Sequence, residues 1–370
     1  MKKILITATV QSHVCQFHKP IMKALKEAGW EIHVAARNNL HEKNGLFMEY
    51  ADKVYDVCFE RSPLSSKNIK AYKQLKQIID NDHYDIVQCN TPIVGVLARL
   101  AAAKHRKNGT RTIYIAHGFH FFKGAKAKNW ILYYTIEKIF AGLTDVLVTI
   151  NQEDYSLAKN KLKCKSIEYI PGLGIDTDKF KYQKDAGEKF RADNGIDDDA
   201  IMLFSVGELN DNKNHQVVIN ALGQLKNPKL FYFIAGNGKG KEKLEALINS
   251  LNLAENVKLV GYTRDIVGIY SAADIFILPS LREGLPMALM EAMSCGLPCI
   301  ASDIRGVRDL IKNKQYLISE NSAECFAEVI DNLSLNEDLR ELSGKENLDY
   351  VANFDVKKVV ERIKEIYKVS

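Results

Sequence analysis

The sequence predicts two doubly wound α/β domains, each built on a parallel β-sheet with helices on both faces. The chain has 370 residues, which is too long for one ordinary hydrophobic core and suits two domains. Each half alternates short apolar runs with longer amphipathic stretches, the pattern of successive β-α-β units. Between the halves, the turn-rich segment Pro171-Gly-Leu-Gly174 interrupts this pattern and predicts a linker.

In the first half, six apolar runs are predicted to be strands. They cover residues 3–10, 31–36, 86–89, 112–116, 146–150 and 167–170, with helices at 20–28, 68–80, 92–104 and 129–141 between them. The first run follows two lysines, as in a signal peptide, but its apolar part ends at Val10 after only seven residues. We therefore interpret it as a buried strand.

In the second half, strands are predicted at residues 201–206, 230–235, 256–260, 275–278 and 299–301. A final helix at 356–369 has no strand after it and is expected to cross back to the first domain. The predicted domains are 1–174 and 175–354, followed by the helical segment 355–370. Ligands of doubly wound sheets bind at the carboxyl ends of the strands, so the active site is expected in a cleft between the domains.

Composition limits the class of protein. No stretch approaches the ~18 uncharged apolar residues that a membrane-spanning helix needs. The seven cysteines are scattered and contain no Cys-x-x-Cys pair, which predicts reduced thiols in a cytoplasmic protein. Residues 1–180 carry 27 Lys/Arg against 17 Asp/Glu, and the rest carry 24 against 29. The basic half suggests an anionic partner, but no nucleic-acid-binding motif is present, so no nucleic acid is expected.

The strongest motif places two glutamates around the start of a helix. It reads Glu283-Gly-Leu-Pro-Met-Ala-Leu-Met-Glu291 and follows the predicted strand 275–278. Pro286 favours the first turn of a helix, where unpaired amides face an anion such as a diphosphate. The amides available belong to Leu285, Met287 and Ala288. Glu283 could then accept hydrogen bonds from sugar hydroxyls, and Glu291 from both ribose hydroxyls.

With this motif the chain resembles the retaining glycosyltransferases of the GT-B fold, in the family-4 group, over nearly its whole length. Two glutamates separated by seven residues are the signature of that family, and segments 171–180, 271–280, 292–298 and 303–309 are also similar to it. The resemblance implies two Rossmann-like domains, a UDP-sugar donor, and contacts from Glu283 to the donor sugar and from Glu291 to the ribose. The donor-binding residues predicted are Lys213, Glu283, Gly284, Leu285, Met287 and Glu291.

Lys213 is predicted to neutralise the donor diphosphate. It lies in the segment Val206-Gly207-Glu208-Leu-Asn-Asp-Asn-Lys213, where a strand ends and a helix begins. A cation there would offset the charge that grows during bond cleavage. Many members of the family carry Arg at the position of Glu208, so in this chain the neutralisation is left to Lys213, alone or together with a group of the first domain.

His117 is predicted to be catalytic, because it follows the strand 112–116 and a His at this place in the family contacts the reacting sugar. With Lys213 and Glu283 it completes the predicted catalytic set. Further cleft residues predicted are Ser12, His13, His120, Asn212, Gly236 and Thr263.

No metal or other cofactor is expected. Asp176-Thr-Asp178 resembles the metal-binding acid pair of a different glycosyltransferase fold, but it lies in the linker. The loop 236–241 lacks the spacing and the final Ser or Thr of a phosphate-binding loop. The first turn, after residue 10, lacks the glycine-rich dinucleotide fingerprint.

The segment 104–138 is predicted to contact an anionic membrane surface. It carries eight Lys/Arg and one acid, Glu137, interleaved with aromatic residues, which suits peripheral binding at the inner face of the cell membrane. The alternative is a solvated helix face above core aromatics. The residues expected at the membrane and acceptor surface are Phe121, Phe122, Lys123, Lys126, Lys128 and Trp130.

The function predicted is retaining transfer of a sugar to a saccharide on a polyprenyl diphosphate, in the synthesis of capsule, exopolysaccharide or another surface glycan. A UDP-sugar epimerase of the same architecture is the main alternative, and it should need cleft acids and bases for proton abstraction. A nucleotide-sugar-binding module without catalysis is the second alternative.

Overall fold

The computed structural model describes residues 1–42, 45–263 and 265–369. The chain divides into two compact units. The first unit is Met1–Gly174 together with the segment from Val356 onward, and the second is Ile175–Asp355. Each is built on one parallel sheet with helices between successive strands, so the predicted fold class is confirmed.

The first unit has a seven-stranded sheet in the order β3-β2-β1-β4-β5-β6-β7, with every neighbouring pair parallel. Its strands are β1 Lys3–Val10, β2 Glu31–Arg37, β3 Lys53–Asp56, β4 Ile86–Cys89, β5 Arg111–Ala116, β6 Val146–Thr149 and β7 Ser166–Tyr169. Its first helices are α1 Gln11–Phe17, α2 Lys19–Glu27, α3 Lys67–Asp80, α4 Pro92–Ala102, α5 Ala127–Asn129, α6 Thr135–Phe140 and α7 Gln152–Lys161. A π-helical turn, Trp130–Tyr134, joins α5 to α6.

The second unit has a six-stranded parallel sheet in the order β10-β9-β8-β11-β12-β13. Its strands are β8 Ile201–Val206, β9 Leu230–Ala235, β10 Val257–Gly261, β11 Ile275–Leu278, β12 Cys299–Ser302 and β13 Leu317–Ile318. Its helices are α8 Lys184–Asp193, α9 His215–Leu225, α10 Lys241–Ser250, α11 Ile266–Ala272, α12 Met287–Ser294, α13 Val307–Leu310, α14 Ala323–Leu335 and α15 Glu337–Val351.

The last helix, α16 (Val356–Tyr367), belongs to the first unit. It packs on α2 and buries Val359 and Ile363. The Arg111 guanidinium donates to the carbonyls of Ile366 and Tyr367 at 2.9 and 3.1 Å, and so satisfies two carbonyls at the end of the helix. The Tyr367 hydroxyl donates to Gln88 Oε1 on β4 at 2.6 Å, which fixes the helix end to the centre of the sheet.

Three elements differ from the sequence prediction. The edge strands β3 and β13 were not predicted, because β3 is mostly exposed and β13 has only two residues. The turn expected after residue 10 is wrong, since α1 begins at Gln11 directly after β1. Without glycines, the chain at this edge of the sheet continues as helix.

All seven cysteines are free thiols. Among the described residues, no helix combines the length and the apolar character that crossing a bilayer requires.

Candidate active site

Two loops at the centre of the second sheet bring the predicted donor motifs together. Strand β8 lies between β9 and β11, so the order of strands reverses there, which is where doubly wound sheets bind ligands. The loop after β8 is bonded to the loop after β11. The Leu281 amide donates to Asn212 O at 2.8 Å, and Asn212 Nδ2 donates to Arg282 O at 3.1 Å. Asn212 therefore joins the two loops.

Lys213 and Glu283 form an ion pair between these loops. Lys213 Nζ lies 2.7 Å from Glu283 Oε1, and the two side chains are only 20% and 15% exposed. The Lys213 amide donates to Asn210 Oδ1 at 3.0 Å, which fixes the turn that carries it. The stem of Lys213 crosses Gly207, where a Cβ would lie 2.8 Å from Lys213 Cε. The lysine stem thus packs directly on the backbone of Gly207 on its way to Glu283.

Glu291 lies in α12 and is held by a tyrosine that the sequence analysis missed. The Tyr270 hydroxyl donates to Glu291 Oε2 at 2.8 Å and lies 3.1 Å from Ala288 O. Burial raises the pKa of the Glu291 carboxyl, and the Tyr270 hydrogen bond opposes that rise. Burial also raises the pKa of Tyr270 well above its ordinary value, so its hydroxyl stays protonated and donates. No local motif identifies Tyr270, because its role comes from tertiary packing.

The turn before α12 is shaped by a close backbone approach. Gly306 has φ of +78°, and a Cβ there would lie 1.9 Å from Gly284 O. One guanidinium nitrogen of the buried Arg305 donates to Glu283 O at 3.3 Å. Pro286 precedes the first helical residue, Met287, and no side chain of the described residues caps this helix end. Because backbone amides point towards the N-terminus of a helix, the first amides of α12 face the edge of the sheet at which the loop of Lys213 also lies.

The structure gives separate positions to three further residues of the sequence analysis, Gly236, Thr263 and Glu208. Gly236 packs on Gly207, since a Cβ on Gly236 would lie 1.9 Å from Gly207 O. Thr263 follows the edge strand β10, and its Oγ1 accepts the Asp265 amide at 3.1 Å just before α11. Thr263 therefore belongs to a helix start at the sheet edge. Glu208 is exposed to solvent.

In the first unit, His117 joins two other histidines in what we call the three-histidine cluster, consisting of His13, His18 and His117. His117 follows β5, whereas His13 lies on α1 and His18 directly follows it. The His117 ring centroid is 4.8 Å from that of His13 and 5.9 Å from that of His18. His18 was missed by the sequence analysis, although its spacing of five residues from His13 was visible.

All three imidazoles are neutral. Burial lowers the pKa of His13 to about 4, and it lowers the pKa of His18 and of His117 well below the ordinary value. Their Nε2 atoms are buried and have no hydrogen-bond partner among the described residues. Gln88 Nε2, on β4, lies 3.4 Å from His18 Nδ1.

Two further predicted residues have structural partners in the first unit. The Ser12 amide donates to Asn39 Oδ1 at 3.1 Å, and Asn39 Nδ2 donates to Ser12 Oγ at 2.9 Å. His120 stacks on Tyr133, with ring centroids 4.6 Å apart. Neither residue belongs to the three-histidine cluster.

The basic segment exposes different apolar residues from those predicted. Phe121 is 1% exposed and stacks on Phe119, with ring centroids 4.7 Å apart, so its placement at the membrane surface is wrong. Trp130 packs against Phe121, and its Nε1 donates to Phe122 O at 3.2 Å, so Trp130 is partly buried. Phe122 is half-buried. Of the predicted aromatics, Phe121 belongs to the hydrophobic core of the first unit, and Trp130 packs against that core.

The outer face of this segment is both basic and apolar. Ile131 is 74% exposed, Leu132 47% and Ile139 66%. The inner face is fixed by Glu137, whose Oε2 lies 3.0 Å from the Arg99 guanidinium in a buried ion pair. The exposed lysines of the segment are Lys123, Lys126, Lys128 and Lys138.

Comparison with known proteins identifies the class. A family model described as "Glycosyl transferase 4-like" matches residues 3–150, and one described as "Glycosyl transferases group 1" matches residues 187–347. The chain is 38% identical to the protein EpsD of Bacillus subtilis (strain 168), over 99% of this chain and 96% of that one. It is 30% identical to a UDP-Gal:alpha-D-GlcNAc-diphosphoundecaprenol alpha-1,3-galactosyltransferase of Escherichia coli, over 89% and 88% of the two chains. The chain belongs to the group 1 glycosyltransferase family.

Solved structures agree on the fold. HepE of Anabaena in complex with UDP and glucose matches with a TM-score of 0.81 at 17% identity, over 100% of both chains. The glycosyltransferase WaaG matches with a TM-score of 0.78 at 17% identity, over 98% of this chain and 99% of that one. The chain therefore shares the GT-B fold.

Proposed function

We propose that this glycosyltransferase is a retaining enzyme that moves a hexosyl or N-acetylhexosaminyl group from a UDP-sugar to a saccharide on a polyprenyl diphosphate. The reaction would serve the synthesis of capsule, exopolysaccharide or another surface glycan. The observation that carries the proposal is the Lys213–Glu283 ion pair, with Glu291 on the helix that follows. The lipid-linked acceptor is supported by the name of the Escherichia coli relative.

Donor binding separates the ion pair. The phosphates of UDP-sugar replace Glu283 as the partner of Lys213, and the amides at the start of α12 complete the anion site. The carboxylate of Glu283 is then released to accept hydrogen bonds from the sugar hydroxyls. Because negative charge on the diphosphate grows as the glycosidic bond breaks, the contact with Lys213 strengthens towards the transition state.

Glu291 binds the ribose. Tyr270 already holds its Oε2, so the carboxylate has a fixed orientation before UDP arrives, and Oε1 faces the ribose hydroxyls. A fixed acceptor binds more tightly than a mobile one because less side-chain entropy is lost on binding.

Transfer follows a front-face route. The bond between the anomeric carbon and the β-phosphate oxygen breaks, and the acceptor oxygen bonds to the same face of that carbon. The acceptor proton passes to the departing phosphate oxygen, so no second carboxylate is needed as a base. His117 contacts the reacting sugar through its neutral imidazole. No metal ion takes part, because Lys213 and the helix amides supply the positive potential.

We also propose that the protein is cytoplasmic and that the first unit docks on an anionic membrane, where a lipid-linked acceptor would reside. The outer face of the 123–139 segment combines four exposed lysines with Ile131, Leu132 and Ile139. Lysines attract acidic headgroups, and exposed aliphatic side chains insert among them.

A panel of nucleotide sugars with lipid-linked acceptors, analysed by mass spectrometry, tests the function. A product with the sugar on the acceptor, formed from a UDP-sugar, is the expected result. Conversion of the UDP-sugar with no acceptor present would instead indicate an epimerase, and binding without any conversion would indicate a non-catalytic module.

A further inference from the structure

The three-histidine cluster leaves polar atoms uncompensated inside the first unit. The Nε2 atoms of His13, His18 and His117 are all buried and lack hydrogen-bond partners among the described residues. A buried polar atom without a partner is unfavourable, and three of them in one place are suited to a shared ligand. One potential ligand atom from each ring lies within 4.8 Å of the other two.

The chemistry of the cluster selects the ligand. Imidazole nitrogens are preferred ligands of zinc and similar divalent transition metals, and they bind in the neutral form. Three histidines with an open fourth position form a common zinc site. We infer that His13, His18 and His117 bind one Zn²⁺ ion, a site separate from the donor residues of the second unit.

The ion requires a small contraction of the cluster. At Zn–N distances of about 2.0–2.1 Å, tetrahedral ligand nitrogens lie about 3.4 Å apart. The distances between the ligand atoms, which are now up to 4.8 Å, therefore have to shorten. Rotation of the imidazole side chains can shorten them. His13 lies on the seven-residue helix α1, and both His13 and His117 are partly exposed.

Gln88 makes the site reversible. Its Nε2 donates to Asn90 Oδ1 at 2.8 Å, while its Oε1 accepts from Tyr367 at 2.6 Å, so the amide orientation is fixed. Gln88 Nε2 therefore faces His18 Nδ1 as a donor, which favours a proton on His18 Nε2. Zinc at Nε2 must displace that proton to Nδ1, opposite another donor. This lowers the affinity relative to sites whose second partner is an acceptor.

Zinc at this site would inhibit the enzyme, and this consequence rests on the proposed role of His117. A His117 nitrogen that ligates zinc is not available to the sugar. The ion therefore acts as an inhibitor and not as a cofactor.

Metal binding is tested without measuring activity. Co²⁺ is titrated into the reduced, metal-free protein and followed by its visible absorption, and Zn²⁺ binding is measured by calorimetry. One equivalent of Co²⁺ is expected, with four-coordinate bands and without thiolate-to-metal charge transfer, because the seven cysteines lie outside the cluster. His18→Asn and His13→Asn should each weaken Zn²⁺ by about a hundredfold or more, since even losing an outer partner costs 10–100-fold.

His33→Gln is the matched control. His33 is a buried histidine of the same unit that bonds to Tyr84 and Glu31, outside the cluster, so this variant should bind zinc as the wild type does. Zinc should also raise the melting temperature of the wild type more than that of either cluster variant. If the wild type takes up no metal at millimolar concentration, or if folded cluster variants bind as the wild type does, the site does not exist.

The activity measurement is a separate arm. Zn²⁺ should inhibit transfer by the wild type, and His18→Asn should be less inhibited relative to its own zinc-free rate. If zinc binds without inhibiting transfer, the conclusion that zinc blocks the contact of His117 with the sugar is wrong, although the zinc site itself stands. Absence of any glycosyl transfer would contradict the proposed function and leave the binding result intact.

Discussion

Lys213 and Glu283 are each other's counter-ion, so removing either residue leaves the other charge unpaired in a largely buried place. Such a pair adds little net stability, because desolvation offsets the attraction. Its value lies in binding, where each charge exchanges its partner for a part of the donor. We therefore expect single changes at the two residues to have opposite effects on the affinity for UDP.

Lys213→Ala should weaken UDP binding by roughly 1.5–3 kcal/mol, the value of a charge-assisted contact. Turnover should fall further, because charge grows on the leaving diphosphate. Calorimetry with UDP and steady-state kinetics measure the two effects. Lys243→Ala is the control. This exposed lysine of α10 pairs with Asp211, which lies on the same loop as Lys213. Unchanged affinity together with an unchanged rate would remove Lys213 from the site.

Glu283→Ala should cut turnover by something on the order of a hundredfold, because its contact tightens in the transition state. Affinity for UDP should stay the same or rise, since Lys213 loses its competing partner. Glu291→Ala should mainly weaken UDP. Equal losses of UDP affinity in both variants would refute this division of roles.

Tyr270→Phe should weaken UDP by about tenfold, because a buried hydrogen bond to a carboxylate contributes about 1.5–3 kcal/mol and part of that loss is regained by relaxation. Tyr232→Phe is the matched control. That buried hydroxyl bonds to Ser205 and lies outside the Glu291 contact. If the two variants bind UDP alike, Tyr270 has no positioning role.

The site could be predicted where a motif and a strand end coincide. Lys213 and Glu283 each follow a predicted strand, and their meeting follows from the adjacency of β8 and β11. Tyr270 and Gly207 act only through packing between distant segments, so no local pattern reveals them. His18 was missed because its neighbour His117 comes from another element.

At the scale of elements, the helical segment from α5 to α6 carries the membrane proposal. Its inner face is held by the Arg99–Glu137 pair, and its outer face exposes aliphatic side chains. Sequence composition points to this segment, but Phe121, one of the apolar residues predicted at its surface, lies in the core. Aromatics and aliphatics alternate along it, and only the fold decides which of them face the core.

Changing Lys123, Lys126 and Lys128 together to Glu should abolish most binding to anionic vesicles, since each lysine near an acidic bilayer contributes about 1 kcal/mol. The triple change Ile131→Ser, Leu132→Ser and Ile139→Ser should remove the part of the binding that high salt does not reverse. Co-sedimentation measures both, and UDP affinity should be unaffected in either variant.

The control variant changes three exposed lysines of the second unit to Glu and so reverses their charge. They are Lys181, Lys184 and Lys189. This variant should pellet as the wild type does. Equal pelleting of the wild type and the first triple variant would refute this docking surface.

At the scale of the whole molecule, the proposed chemistry needs no metal. Activity should therefore persist in EDTA. In a preparation contaminated with zinc, EDTA should raise the activity, because it removes the inhibitory ion. Complete loss with EDTA, restored by Mn²⁺ or Mg²⁺, would contradict the mechanism. Assays with and without chelator, with the metal content measured, decide between these results.

The overall architecture was the easiest level to predict. Buried parallel strands are continuous apolar runs and leave a clear signal in the sequence, and nearly all of them were located. The edge strands β3 and β13 leave little signal, because one is exposed and the other is very short.

The return of α16 to the first unit sets the order in which the protein can be completed during synthesis. Residues 175–355, which form the second unit, are all translated before α16 is made. The first unit is begun earliest, but it lacks α16, and with it the Tyr367–Gln88 hydrogen bond, until residues 356–367 have been made. Until then the surface that receives Val359 and Ile363 is uncovered. A nascent chain stalled before residue 356 should therefore be the species that chaperones retain.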